Sequence, residues 1–257
     1  MDWHDPTRTA ESIWRVTADE LYGLLPQREG VRPPSHPDRG REGSDPYLAA
    51  WVAGDRVVAD ELARVEEPFE PLAYNVLAET AEIIWVSSSL PIRDVESYFP
   101  ATERPIRLLS NRGANGIDGV VSSAAGASIA ANTPVHLIIG ELALLHDVGG
   151  LVSARRAGAE LAVLCVNNGG GGIFDFLPVA EQAEAADYEA HIATPVEFDL
   201  AAAAALGGLE HHVVQDAAGV REHLEPGTLV ELRVDRATSL TRHRDLASRI
   251  VARLESP

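Results

Sequence analysis

The sequence predicts an α/β fold: a doubly wound, mostly parallel sheet with helices on both faces. Two observations carry this. Short, near-continuous apolar runs have the composition of strands buried on both sides. They alternate with longer segments whose apolar residues recur at helical spacing. A third observation points to function. Ser, Asn, Gly and Arg cluster directly after the strands, where ligands bind in such sheets.

The elements follow in order. DPYLAAWVAGDRVVADELARV, residues 45–65, has apolar residues at helical spacing and predicts a helix. EIIWVSSS, 82–89, is a short apolar strand that ends in small polar residues. PIRDVESYF, 91–99, opens with Pro at a first helical position. RPIRLLS, 104–110, is a second strand, and GIDGVVSSAAGASIAA, 116–131, is a helix of small residues suited to close packing. PVHLIIG, 134–140, is a third strand, followed by one helix through ELALLHDVGGLVSARRAG, 141–158. ELAVLCVNN, 160–168, is a fourth strand. DLAAAAALGG is a helix, EHHVVQ a strand, AGVREHLE a helix, GTLVELRV a last strand and SLTRHRDLASRIVARL the closing helix. No internal repeat is visible.

Residues 46–257 are therefore expected to form one domain, and 1–45 to hold a remnant plus a linker. Gln27–Ser44, QREGVRPPSHPDRGREGS, is rich in Pro, Gly and charge and reads as the linker. One helix is expected before it, around Asp19–Leu25. No apolar run approaches the ~18 residues of a membrane span. The first residues lack the basic and apolar regions of a signal peptide. The single cysteine, Cys165, excludes an internal disulfide framework, fits a reducing cytoplasm and reads as a buried small hydrophobe.

Charge excludes one function class. The formal net charge is −18, and all 21 basic residues are Arg. A nucleic-acid binder needs a basic footprint that this chain lacks. Such acidity suits a high-GC or salt-adapted organism, whose surface carboxylates maintain solubility. Anionic ligands would then require locally concentrated arginines.

The strongest motif signal lies at the ends of the third and fourth strands. Gly140-Glu141-Leu142 ends one and Asn167-Asn168-Gly169-Gly170 the next, with 27 positions from Glu141 to Asn168. One helix plus one strand fill that interval, which places the two strand ends side by side. A carboxylate, an amide oxygen and a glycine carbonyl make a hard-oxygen set suited to Mg²⁺. A helix starting near Leu142 would direct backbone N–H groups at a diphosphate. The competing reading of two asparagines after a strand is a plain turn.

Here the sequence resembles the thiamin-diphosphate enzymes, whose diphosphate-binding domain carries a Gly-Asp-Gly strand end followed by an Asn-Asn strand end. SSSLPIRDVESYF, SNRGANGIDGVVSSAAG, GELALLHDVGGL and VNNGGGGIFDFLP occur in this order. Together with the closing DRATSLTRHRDL they resemble the C-terminal half of the 2-succinyl-5-enolpyruvyl-6-hydroxy-3-cyclohexene-1-carboxylate synthases of menaquinone biosynthesis. The likeness runs from about Pro46 to the C-terminus, and DWHDPTRTAESIW resembles a remnant of that family's middle domain.

The resemblance implies a transferase that joins 2-oxoglutarate to isochorismate by a decarboxylating conjugate addition, with thiamin diphosphate and Mg²⁺ (or Mn²⁺) as cofactors. It implies metal contacts from Glu141, Asn168 and the Gly170 carbonyl. It implies cofactor contacts from Gly140, Leu142, Ala143, Asn168, Gly170, Gly171 and Ile173, with Ile117 supporting the cofactor between its rings. Ser89, Arg93 and Arg112 match substrate-contacting positions, and Ile173, Phe174 and Leu177 match an apolar wall over the reactive ring. Arg forks suit the carboxylates of both substrates.

Two departures stand out. Glu141 replaces the family's metal-ligating Asp. Nothing in Met1–Ser44 resembles the pyrimidine-binding domain, which supplies the family's activating glutamate. No catalytic residue is therefore expected in this chain. The expected partners are a pyrimidine-binding domain or subunit in trans, further copies in an oligomer, and small anionic substrates.

Other readings of these residues stay open. The chain could be the diphosphate-binding subunit of a split 2-oxo-acid decarboxylase, or a non-catalytic cofactor-binding module. Arg93 could pair with Asp94 or Glu96. Arg112 could be solvated, and Ile117, Ile173, Phe174 and Leu177 ordinary core. His136 reads as structural, His146 and Asp147 as helix-surface residues, and His211-His212 as a poor metal site.

Overall fold

A computed structural model describes residues 46–111, 113–114 and 116–255. The expected Asp19–Leu25 helix, the Gln27–Ser44 linker and Arg112 lie outside the described residues. The chain divides into two compact units, Met1–Ala49 and Ala50–Pro257. The sheet and the cleft described below belong to the second.

Three helices precede the sheet: α1 (Pro46–Leu62), α2 (Glu70–Asn75) and α3 (Leu77–Thr80). Then β1 (Ile83–Val86) leads to α4 (Leu90–Tyr98), and β2 (Arg107–Leu109) to α5 (Val120–Ala131). β3 (Val135–Gly140) runs into α6 (Glu141–His146) and α7 (Val148–Ala157). β4 (Leu161–Asn167) is followed by a 3₁₀ turn (Gly172–Phe176), then α8 (Val179–Gln182), α9 (Ala185–Tyr188) and a π-helical turn (Glu189–Ala193). The chain closes with α10 (Leu200–Gly207), β5 (Glu210–Val214), α11 (Ala217–His223), β6 (Thr228–Arg233) and α12 (Arg236–Glu255).

The six strands form one all-parallel sheet in the order β2-β1-β3-β4-β6-β5. Position in that order explains strand composition. The apolar residues of β3 and β4 are buried on both faces, while the edge strands β2 and β5 carry exposed and polar residues. One face packs Leu137, Ile139, Val163 and Leu229 against α5, α7 and α10. The other packs Ile84, Ile138, Leu164 and Val230 against α2–α4 and α11. Each face buries aliphatic side chains that contribute ~1.5–3 kcal/mol apiece on transfer from water.

The single helix expected over 141–158 is two helices. It breaks at Asp147, whose φ and ψ of −116° and 34° leave the helical region. The break frees the Asp147 carboxylate to reach α5, where Oδ2 accepts from the Ser122 backbone N–H at 2.8 Å and Oδ1 from its hydroxyl at 3.1 Å. Ser122 is the third residue of α5, and the residue before that helix is Gly119, which has no capping side chain. Asp147 thus supplies the missing cap from 25 residues away, a role rather than a free surface position. Close approach is enforced at Gly150, where a Cβ would stand 2.9 Å from Val121 Cβ and from Ser122 Oγ.

α2 and α3, and the short helices over 179–188, lie where the sequence predicts no element. Pieces of four to six residues are too short to display a period.

Candidate functional site

The sheet order places a switch point between β1 and β3. From β1 the chain moves outward to β2, then returns to the other side of β1 to lay down β3. The crossovers on the two sides diverge there and leave a crevice at the carboxyl ends of the strands. That crevice is a cleft of about 570 Å³. It is floored by the ends of β1, β3 and β4 and holds most of the residues singled out from sequence.

Gly140, Glu141, Leu142 and Ala143 enter from the β3–α6 junction; Ser89 and Arg93 from the start of α4; Ile117 from the β2–α5 loop; and Asn168, Gly170, Gly171, Ile173 and Phe174 from the β4 end. Ser88, Leu90, Pro91, Gly116, Gly172 and Thr194 are among the other lining residues. No sequence pattern pointed to Thr194; it arrives from the end of the π-helical turn, where local sequence carries no signal.

Leu177 lines an adjoining cavity of about 470 Å³ with Tyr98, Phe176 and His243, and Leu90, Arg93, Ile173 and Phe174 line both this cavity and the cleft. The 3₁₀ turn ends at Phe176, and Leu177 leaves it in extended conformation.

Arg93 is exposed and does not pair with Asp94 or Glu96. Its Nη1 donates to the Ser89 carbonyl at 2.6 Å. That bond braces Ser89, a non-glycine residue at φ 77°. Asp94 instead faces inward to His243, Oδ1 to Nε2 at 3.1 Å. Ile117 is half-buried against the core, and its loop is anchored by Asn111, which bridges Trp85 Nε1 at 2.9 Å and Ser123 Oγ at 3.1 Å.

The β4 end supplies the polar centre. Asn168 Oδ1 is buried and lacks any hydrogen-bond partner among the described residues. Such an orphan acceptor costs free energy unless a ligand uses it. Beside it, Glu141 is 3% exposed, and its Oε1 accepts from the Gly170 N–H at 2.6 Å. Burial pushes the Glu141 carboxyl above the usual range, against the opposing effect of backbone N–H groups at Glu141, Gly170, Asn168 and Gly169. Among the described residues the Gly170 carbonyl accepts a backbone bond from Gly172 at 2.9 Å, and oxygen has a second lone pair. Amide, carbonyl and carboxylate oxygens together form the donor set a hard divalent cation needs.

Three of the four glycines are packed closely against their neighbours. In the structure, a Cβ on Gly170 would meet the Ala193 carbonyl at 2.8 Å, one on Gly171 the Phe174 ring at 2.8 Å, and one on Gly172 Asn168 Nδ2 at 2.7 Å. Gly169 and Gly170 also hold φ of 75° and 146°. The run lets the loop fold tightly on its own neighbours, and that tight fold is what aims Asn168.

The remaining candidates take structural roles. His211 Nε2 lies 3.0 Å from Glu231 Oε2, and His212 stacks on His223 at 4.3 Å. Glu231 also accepts from Asn167 Nδ2 at 2.9 Å, which anchors the residue before Asn168. His136 is buried mid-sheet, and burial lowers its pKa. Cys165 is buried, and burial raises its thiol pKa well above the ordinary value.

Comparison with known proteins bears on this cleft directly. Residues 93–229 match the family described as thiamine pyrophosphate enzyme, C-terminal TPP binding domain. The chain is 51% identical over 224 residues to a 2-succinyl-5-enolpyruvyl-6-hydroxy-3-cyclohexene-1-carboxylate synthase of Myxococcus xanthus, covering 80% of this chain and 38% of that protein. It is 37% identical over 254 residues to the synthase of the same name from Geobacillus kaustophilus, covering 94% and 42%. With that of Bacillus velezensis it shares 39% identity over 251 residues, covering 95% and 42%. The chain thus spans about two fifths of the length of these curated relatives. The matched residues run from the cleft-facing Arg93 through Asn168 and the glycine loop to β6, and the chain therefore belongs to the thiamine pyrophosphate enzymes, as a C-terminal TPP-binding domain.

Proposed function

We propose that this domain is the diphosphate-binding part of a 2-succinyl-5-enolpyruvyl-6-hydroxy-3-cyclohexene-1-carboxylate synthase, a carbon–carbon bond-forming transferase that joins 2-oxoglutarate to isochorismate in menaquinone biosynthesis. The observation that carries the cofactor site is the buried, unpartnered Asn168 Oδ1 in the cleft at the β1/β3 switch point. The synthase assignment is supported by relatives of that name along most of this chain.

Asn168 Oδ1 and the Gly170 carbonyl would hold Mg²⁺, or Mn²⁺, with Glu141 beside them. Glu141 commits Oε1 to the Gly170 N–H and so ties the strand end of β3 to the loop after β4. Thiamin diphosphate, when bound, supplies the electron sink for decarboxylating a 2-oxo acid and joining its acyl carbon to an acceptor. Around it, Ile173 and Phe174 exclude water, which strengthens every polar contact inside the cleft. Ile117 lines the same cleft and would give a further apolar support. Arg93 offers a planar fork to a substrate carboxylate and exchanges its bond to the Ser89 carbonyl for it. The proton-moving group of the reaction is proposed to come from outside this chain. A pyrimidine-binding domain in trans is proposed to supply that group and to cover the open side, where Phe174 is 38% exposed.

Calorimetric titration of thiamin diphosphate with Mg²⁺ tests the cofactor site. Binding is expected to the wild-type chain and not to Asn168→Ala. Turnover of 2-oxoglutarate and isochorismate is then measured with a pyrimidine domain supplied. Cofactor binding without turnover of this pair would retain the site and refute the substrate assignment.

A further inference from the structure

The closing stretch DRATSLTRHRDL, residues 235–246, takes no part in the cleft lining. Its second residue, Arg236, nevertheless stands behind the glycine loop. Arg236 Nε lies 3.0 Å from Asp175 Oδ2, and its Nη2 donates to Glu189 Oε1. Asp175 sits in the 3₁₀ turn between Phe174 and Phe176, and its Oδ1 also accepts from the Tyr188 hydroxyl at 2.6 Å. Both partners are largely shielded: the Arg236 side chain is 21% exposed and that of Asp175 12%.

The same side chain fills the space in front of two glycines. A Cβ on Gly170 would stand 3.1 Å from Arg236 Nη1, and one on Gly172 3.5 Å from its Cγ. Four segments therefore meet on one guanidinium: the glycine loop, the 3₁₀ turn, the π-helical turn and the first turn of α12. A planar fork holds two carboxylates at a fixed mutual angle, which a single rotating ammonium does not.

We infer that Arg236 is the positioning residue of this cleft: through Asp175, Glu189 and its contact with Gly170 and Gly172, it sets where Asn168 Oδ1 and the Ile173–Phe174 wall stand. Arg236 lies outside the cleft lining and acts through the loop. Its consequence for cofactor affinity rests on the proposed function; its consequence for the loop does not.

The test is amide hydrogen exchange on the full chain, wild type against Arg236→Met, Arg236→Lys and the double variant Arg236→Met/Asp175→Asn. Arg236→Met is expected to raise exchange over 168–177 about tenfold, the equivalent of about 1.4 kcal/mol, with β3 and β4 unchanged. Arg236→Lys keeps the charge but reaches one carboxylate, and so falls between. The double variant removes the more buried of the two stranded acids. It is expected to recover melting temperature without recovering loop protection, a split that simple charge balance does not produce. Unchanged exchange, a uniform rise across the sheet, or recovery of both properties in the double variant would overturn the inference. If Arg236→Met fails to fold, Arg236→Lys and Asp175→Asn make the same comparison. In parallel, Mn²⁺ with thiamin diphosphate is titrated into wild type and Arg236→Lys. A wild type that binds neither refutes the cofactor site alone, while the exchange result stands by itself.

Discussion

Gly170→Ala tests the account of the glycine loop. Its φ of 146° strains any L side chain, by ~1–3 kcal/mol. The new methyl would stand 2.8 Å from the Ala193 carbonyl oxygen. That oxygen cannot retreat freely, because it already accepts the Gly171 N–H at 2.6 Å. Overpacking costs typically ~1–3 kcal/mol, and losing the hydrogen bond ~0.5–1.5 kcal/mol more. Against this, Ala restricts the unfolded chain and returns ~0.4–1 kcal/mol. The net expectation is a loss of about 1.5–7 kcal/mol, centred on about 4, or roughly 8–16 °C in Tm at the centre for a domain of this size. Gly169→Ala is the control. Its φ is 75° but nothing lies within 4 Å of the added Cβ, so only backbone strain of about 1–2 kcal/mol remains, less the same ~0.4–1 kcal/mol from the unfolded chain. Differential scanning calorimetry of both variants decides. Equal shifts, or a larger one for Gly169→Ala, would refute packing against Ala193 as the reason for glycine at 170.

Three further outcomes are expected. Asp147→Ala should cost about 1 kcal/mol by uncapping α5, with Asp147→Asn recovering part of it, read by chemical denaturation. His243 should make stability pH-dependent. Burial alone would lower its pKa, but the hydrogen bond and charge of Asp94 and the charge of Glu70 raise it above 6.5. A raised folded pKa gives stability that is present below the unfolded value and lost as pH rises through the folded one. Asp94 itself is pushed up to about 6, with burial the largest cause, so its contribution also declines as pH climbs from about 4 to 6. Melting temperature should therefore fall as pH rises above 6.5, and His243→Gln should flatten that arm. Cys165, buried with a raised pKa, should resist thiol reagents in the folded chain and react at once in denaturant.

Much of the fold was legible because buried parallel strands write themselves as apolar runs. VHLIIG and LAVLCVN could be nothing else, and the helices between them carried their own period. The paired strand ends, Gly140-Glu141 and Asn167-Asn168, were equally legible, since neighbouring strands in a parallel sheet bring such ends together. Local sequence could not reveal the break at Asp147, which answers a need of α5 rather than of its own helix. Nor could it show that Phe174 lines both the cleft and the adjoining cavity while Leu177 lines only the latter. Three residues divide them, and only the 3₁₀ geometry of the turn decides which way each points.

The sequence by itself determined that a parallel sheet would form and that the ends of its third and fourth strands would lie side by side. Periodicity and apolar runs encode those properties over a few adjacent residues. Only tertiary structure decided how the site is held. Glu141 reaches the Gly170 amide, Glu231 anchors Asn167, and Arg236 closes the loop from behind. Each of these contacts joins residues from distant parts of the chain, and their spacing in sequence carries no period. The glycine run shows the division most plainly: its presence is local, but its cause is the Ala193 carbonyl, the Phe174 ring and the Arg236 guanidinium packed against it.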